Sequence, residues 1–271
     1  MLIIPAIDIK EGKCVRLREG RFSDTEIFSD DPIKVVAKWA DKGAKMLHIV
    51  DLDGARYGRL TNISILKQII GEVNIPVQIG GGIRNYREVK NLINLGASRV
   101  ILGTILWKDK ALAKKLFEDF LEKIIAGIDA RDGYVAIEGW QNVLSVDALD
   151  FAKEMERLGA RRIIYTDIKR DGTLKGPNIT NIKKIVKKVN IPLICSGGIA
   201  FLDDIKKLKR FETKGLEGVI LGKALYKGTI LLEDALKVAQ GKIKDEKGIE
   251  NAYQENYTLP GYKGRSSGKG N

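Results

Sequence analysis

The sequence predicts an α/β fold, a TIM (β/α)8 barrel built from two homologous (βα)4 halves. Three observations carry that expectation. First, VNIPVQIGGGI at 73–83 returns as VNIPLICSGGI at 189–199, with seven of eleven letters identical. Second, further pairs repeat in the same internal order. PAIDIKEGKCV, from Pro5, matches AGIDARDGYVA, from Ala126; AKWADKGAKMLHIVDLD at 37–53 matches AKEMERLGARRIIYTDIK at 152–169; RVILGTILW at 99–107 matches GVILGKALY at 218–226. The offsets stay between 115 and 121, so a unit of about 120 residues occurs twice, too long for a solenoid repeat. Third, each half alternates short apolar, β-branched runs with amphipathic helical stretches.

Taken in order, strands are expected near 2–8, 46–51, 76–80, 99–103, 124–129, 162–167, 192–196 and 218–222. Continuous apolar runs such as RRIIYTDI suit parallel strands covered by helices. Helical patterns fill the gaps. YREVKNLINLG is an example, with Val89, Leu92 and Ile93 at helical spacing and Gly96 to close it. Eight such units make the barrel, four per half. An open, doubly wound sheet is the rival, but two equal halves close into a ring more naturally than they wind about a switch point. Residues 1–241 form one catalytic domain on this reading, with halves at about 1–120 and 121–241. Residues 242–271 lose the apolar periodicity and end in Gly, Lys and Ser, as a flexible extension would.

Composition narrows the function. Hydrophobic content of 44% with 30% charged residues is ordinary for a soluble protein. No apolar run approaches the roughly 18 residues of a membrane span, and the N-terminus lacks a secretory signal. Cys14 and Cys195 make no disulfide framework and no metal-type spacing, which points to the cytoplasm. The net charge of +12 invites a nucleic-acid role. Yet much of the lysine is interleaved with acid on helix-like stretches such as KVVAKWADKGAK, and no aromatic–basic platform for single strands is present. The expected partner is an anionic small molecule steered by a basic surface, with no nucleic acid and no membrane, on a monomer.

The repeat also places chemistry at the strand ends, where a TIM barrel keeps its active site. Gly81–Gly82 and Gly197–Gly198 fall after strands three and seven. Gly103–Thr104 and Gly222–Lys223 fall after strands four and eight. Glycines there let backbone N–H groups approach an anion, and a following helix N-terminus adds a favourable dipole. Two phosphate sites on opposite sides of one mouth are therefore expected, for a substrate with a phosphate at each end. Asp8 and Asp129 close strands one and five, and each precedes a glycine by four residues, Gly12 and Gly133. Carboxylates at such a face are costly to desolvate without work to do, and the pair suits general acid–base chemistry. His48, the only histidine, lies inside strand two and reads as structural. One histidine and two scattered cysteines support neither a Ser-His-Asp triad nor a zinc site. Asp51, Asp53, Asp167 and Asp171 crowd the ends of strands two and six, but no phosphate-activating lysine motif accompanies them. No metal and no cofactor are expected.

PAIDIKEGKCVRL, HIVDLDGA, IGGGIR, GIDARDGYVAIEGW, YTDIKRDGT, SGGI and VILGKALYKG occur in this order within residues 1–240. In order and spacing they resemble the phosphoribosylformimino-5-aminoimidazole carboxamide ribotide isomerases of histidine biosynthesis. That resemblance implies a half-barrel-repeat TIM barrel whose substrate carries two phosphoribosyl groups. It implies an Amadori rearrangement of an aminoaldose to an aminoketose, with neither redox cofactor nor metal. By motif position Asp8 is the base and Asp129 the acid, with Asp171 of RDGT as the rival acid. Thr166, Asp171, Gly172 and Arg16 join the substrate-binding set, and Trp140 of EGW supplies an aromatic that can stack on the imidazole.

Two sister barrels are the alternatives. The imidazole glycerol phosphate synthase cyclase typically has Cys-Leu-Asp at strand one, where this chain has Ala-Ile-Asp. Phosphoribosylanthranilate isomerase uses a cysteine base near the N-terminus, and Cys14 lies past the end of strand one. An enzyme acting on both isomerase substrates stays among the alternatives. A non-enzymatic, basic phosphate- or nucleic-acid-binding barrel would leave the paired aspartates unexplained.

Overall fold

The computed structural model describes residues 1–18 and 21–242 of the 271. Apart from Lys242, the extension expected over 242–271 lies outside the described residues.

Eight parallel strands close into a ring: Leu2–Lys10, Leu47–Asp51, Val77–Gly80, Arg99–Leu102, Ile124–Arg131, Ile163–Asp167, Leu193–Ser196 and Leu216–Leu221. Each pairs with the next, and the eighth returns to the first, with Ile4 opposite Ile220. These spans match the sequence expectation to within about two residues. Helices follow every strand. Tyr86–Asn94 shows why: the Asn85 side chain accepts the Glu88 N–H at 2.9 Å, and Val89 and Leu92 are buried. Gly96 ends the turn with φ +107°. Each of those two apolar side chains contributes about 2 kcal/mol by leaving water. Among the described residues no helix is long and apolar enough to cross a membrane.

Strand period two sorts the first strand into two faces. Ile3, Ile7 and Ile9 join the large core between ring and helices. Ile4 and Ala6 join Met46, Ile125, Ile164, Ile194 and Ile220 inside the ring. The inward face of strand one therefore runs Ile4, Ala6, Asp8, and that of strand five runs Ile125, Gly127, Asp129. Alternation alone delivers both carboxylates to the mouth. At the opposite end, Glu217 bridges Arg99 and Arg162, accepting from Arg99 Nη2 at 3.3 Å and from Arg162 Nε.

The chain departs from plain βα alternation in two places. After strand one it forms a hairpin, Lys13–Arg18 with Arg21–Ser29, before the helix Pro32–Asp41. After strand five it forms Tyr134–Ile137 with Asn142–Asp147 before Ala148–Leu158. Both long strands turn back on two residues with left-handed φ: Glu11 (+50°) and Gly12 (+77°), then Asp132 (+56°) and Gly133 (+87°). That is the backbone a two-residue hairpin turn needs. The glycine four residues beyond each aspartate is thus the pivot that folds a hairpin over it.

Candidate active site

The mouth opens on a cavity of about 220 Å³, a small-molecule site rather than a polymer groove. Every residue expected to catalyse or to bind substrate or phosphate lines it: Asp8, Arg16, Asp129, Trp140, Thr166, Asp171, Gly172 and the four strand-end pairs Gly81–Gly82, Gly103–Thr104, Gly197–Gly198 and Gly222–Lys223.

Asp8 accepts a hydrogen bond and ion pair from Arg16 Nη1 at 2.7 Å. Burial pushes its carboxyl above the ordinary range, and Arg16 pulls part of that back. Arg16 comes from the first hairpin. Its other terminal nitrogen donates to the Ala6 carbonyl, and its guanidinium lies 5.1 Å from the centre of the Tyr226 ring. Asp129 accepts from Trp140 Nε1 at 2.8 Å. Burial raises its pKa too, opposed by hydrogen bonds from Trp140 and Thr166. Asp171 is pushed up to about 7, first by burial and then by the Asp8 charge, with Arg16 opposing, Asp129 adding and Lys223 opposing. Three carboxylates therefore share one pit, each raised by burial and each with different partners, and Asp171 feels the charge of the other two.

The two glycine pairs are cradles built by backbone packing. A Cβ added to Gly82 would lie 2.3 Å from the Gly54 carbonyl oxygen, and one on Gly198 would lie 2.4 Å from that of Gly176. Asp51 organises the neighbouring loop, accepting from the backbone N–H of Gly54, Thr61 and Asn62 and from Asn62 Nδ2. Asp53 accepts from Glu11 N and Asn62 Nδ2, and Asp167 from Asn178 Nδ2 at 2.7 Å. Of the four aspartates at the ends of strands two and six, only Asp171 lines the cavity.

Arg84 and Glu138 line it without having been expected as site residues, and His48, expected to be structural, lines it too. Arg84 follows the first glycine pair, and its place right after GGGI was the available signal. His48 shares the inward parity of Val50 and so faces the cavity, hydrogen-bonded to Gln78 at 3.0 Å. Burial, then Arg16, lowers its pKa to about 3, so the ring is neutral.

A family model described as histidine biosynthesis protein matches residues 2–231. The chain belongs to that family. Within the histidine biosynthesis family it is 48% identical to a relative from Clostridium botulinum over 238 residues, 88% of this chain and 97% of the relative. A relative from Acetivibrio thermocellus is 48% identical over 240 residues, 89% of this chain and 100% of the relative. One from Gloeothece citriformis is 46% identical over 246 residues, 90% and 96%. All three relatives are named 1-(5-phosphoribosyl)-5-((5-phosphoribosylamino)methylideneamino)imidazole-4-carboxamide isomerase.

Proposed function

We propose that this chain is an aldose–ketose isomerase of histidine biosynthesis, carrying out an Amadori rearrangement on a bis-phosphorylated aminoaldose ribotide. The observation that carries the reading is the convergence of Asp8, Asp129 and Asp171 between two like cradles in one cavity. The relatives' printed name, with a phosphoribosyl group at each end, describes a substrate that such a site fits.

The acid protonates the ribose ring oxygen, the ring opens, and the exocyclic nitrogen becomes an imine to C1. The base then removes the proton from C2 to give an enolamine. Return of a proton to C1 and loss of the enol proton leave the C2 ketone, so atoms and electrons balance without an outside oxidant. Asp8 suits the base, because Arg16 favours its charged form. The acid is Asp129 or Asp171. A pKa of about 7 keeps a proton on Asp171 near neutrality, which supports giving it the role. Burial raises the pKa of Asp129 as well, against the hydrogen bonds from Trp140 and Thr166 that favour its ionised form, so it stays the rival. Trp140 offers its indole face to the imidazole. Gly81, Gly82, Gly103, Thr104 and Arg84 would take one phosphate, and Gly197, Gly198, Gly222 and Lys223 the other. The two free, buried cysteines support placing the enzyme in the reducing cytoplasm.

A spectroscopic turnover assay with the imidazole carboxamide aminoaldose ribotide tests the reading. Conversion to the aminoketose is expected; a purified, folded chain that leaves this substrate unchanged would end the proposal.

A further inference from the structure

The halves meet at two seams, where the fourth strand pairs with the fifth and the eighth with the first. Each seam carries a hairpin from one half and a five-residue helix from the other, Thr104–Lys108 or Lys223–Lys227. At the eighth–first seam, Glu26 on the hairpin pairs with Lys227 and lies 3.6 Å from Lys223 Nζ. At the fourth–fifth seam, Glu138 pairs with Lys108, and its backbone N–H donates to Thr104 Oγ1 at 2.9 Å. Lys108 and Lys227 hold the same place in the repeat, each ending its helix. The glutamates do not: Glu26 sits on the outer strand of its hairpin, whereas Glu138 follows the inner strand of the other. The same contact is thus made with different residues, so the repeat alone does not explain it.

Each glutamate stands one step from the group that holds a carboxylate. Glu26 is the cross-strand partner of Arg16, which donates to Asp8. Glu138 begins the run Glu138, Gly139, Trp140, with φ of +58°, +64° and +69°. Side chains hold such a backbone only where the surroundings fix it. Trp140, at the end of that run, donates to Asp129.

We propose that Glu26 and Glu138 are positioning residues, each clasping a hairpin across a seam so that the carboxylate of one half is oriented from the other half. Its kinetic consequence rests on the isomerase reading, while the clasp itself is independent of it. Lys223 and Lys227 then divide two tasks around Glu26: Lys223 turns to an anion in the cradle, and Lys227 keeps the hairpin in place.

Glu26→Gln and Glu138→Gln in the full chain keep shape and remove charge. Exposed ion pairs add little to global stability, so both variants should fold and melt as the parent does. Without substrate, amide hydrogen exchange should quicken in the first hairpin alone for Glu26→Gln, and in the second alone for Glu138→Gln. With substrate, kcat should fall about three- to tenfold in each, KM should change by less than about twofold, and the double variant should multiply the losses. The charge swaps Glu26→Lys with Lys227→Glu, and Glu138→Lys with Lys108→Glu, should recover most of the lost kcat. Unchanged exchange in either hairpin overturns the clasp. So does a raised KM at intact kcat, which would mark direct substrate contact, and so does failure of both swaps. If the parent chain turns over no ribotide, the isomerase reading fails, and the exchange data still decide the clasp.

Discussion

The two cradles share a backbone but carry their cations on different loops. In the first, GGI is followed by Arg84 and the next strand end offers Thr104; in the second, GGI is followed by Ala200 and the next strand end offers Lys223. The glycines repeat because packing demands them: Gly82 and Gly198 press against the carbonyls of Gly54 and Gly176, and no side chain fits there. The cations line the open cavity, where packing does not decide. What the fold needs is therefore duplicated, and what the ligand needs is free to move between loops. The comparison teaches which kind of constraint a conserved-looking repeat records.

The largest expected effect probes the carboxylates, which the two halves also hold differently, one by an arginine and one by a tryptophan. Asp8→Asn should cost on the order of 10²–10⁴-fold in kcat with the fold intact. More than about a tenth of the parent rate remaining would remove Asp8 from the base role. Asp171→Asn and Asp129→Asn, measured across pH, separate the acid candidates. If protonated Asp171 is the acid, kcat falls as pH rises through about 7, and that limb vanishes in Asp171→Asn. Should Asp129→Asn be the graver lesion and the limb persist in Asp171→Asn, the role passes to Asp129. The same shift bears on stability. Because the folded pKa is raised, stabilisation by the bound proton is complete below the ordinary carboxylate range and is lost as pH climbs to about 7. Asp171→Asn should therefore melt higher than the parent above pH 7, and an equal or lower Tm would contradict the raised pKa.

Next comes a pair of equivalent glycines. A Cβ on Gly222 would sit 2.9 Å from the Arg16 guanidinium carbon, whereas one on Gly103 meets nothing closer than a carbonyl oxygen at 3.7 Å. The two share one backbone, φ −117° and ψ −93° at Gly103 and φ −108° and ψ −105° at Gly222, so alanine meets the same backbone cost at each and the neighbours make the difference. Gly222→Ala should also push Arg16 off Asp8, and so lower kcat about tenfold more than Gly103→Ala does. Equal losses in steady-state assays would show that the halves are mechanically alike after all.

The cations follow. Arg84→Ala and Lys223→Ala should each raise KM about tenfold, the scale of one lost charge-assisted hydrogen bond, with little change in kcat. Phosphorus NMR of a bound product should then show a different resonance moving in each variant. The same resonance moving in both would mean that both cations serve one phosphate. Smallest of all, removing residues 243–271 should leave kcat and Tm nearly unchanged, since the eighth strand and the helix Leu232–Ala239 complete the ring without them. A drop in either would give the extension a role in the barrel.

Much of this was legible in the sequence because a repeat reports geometry twice. The strands, the cradles and Asp8 with Asp129 followed from offset and alternation. The hairpins escape this logic although their turns are written plainly as EG and DG, because βα alternation puts helix between every pair of strands. The carboxylate-holding role of Arg16 was hidden for the same reason: only a strand folded back on strand one brings residue 16 to residue 8. Asp51, Asp53 and Asp167 crowd the strand ends as expected, yet their oxygens face backbone and asparagine donors that lie about ten residues downstream or in the neighbouring loop. Such partners are set by loop shape, which spacing along the chain does not report.

The salt bridge under the ring carries a last consequence. Arg99, Glu217 and Arg162, with Ile4, Ile125 and Ile194 fully buried above them, fill the axis of the barrel from below. Among the described residues the pit is closed from below, so arriving substrate and departing product share the mouth as their doorway. Arrival and departure are then mutually exclusive events. However fast a proton moves inside, throughput is capped by how quickly a product with a phosphate at each end lets go at a threshold flanked by arginine and lysine.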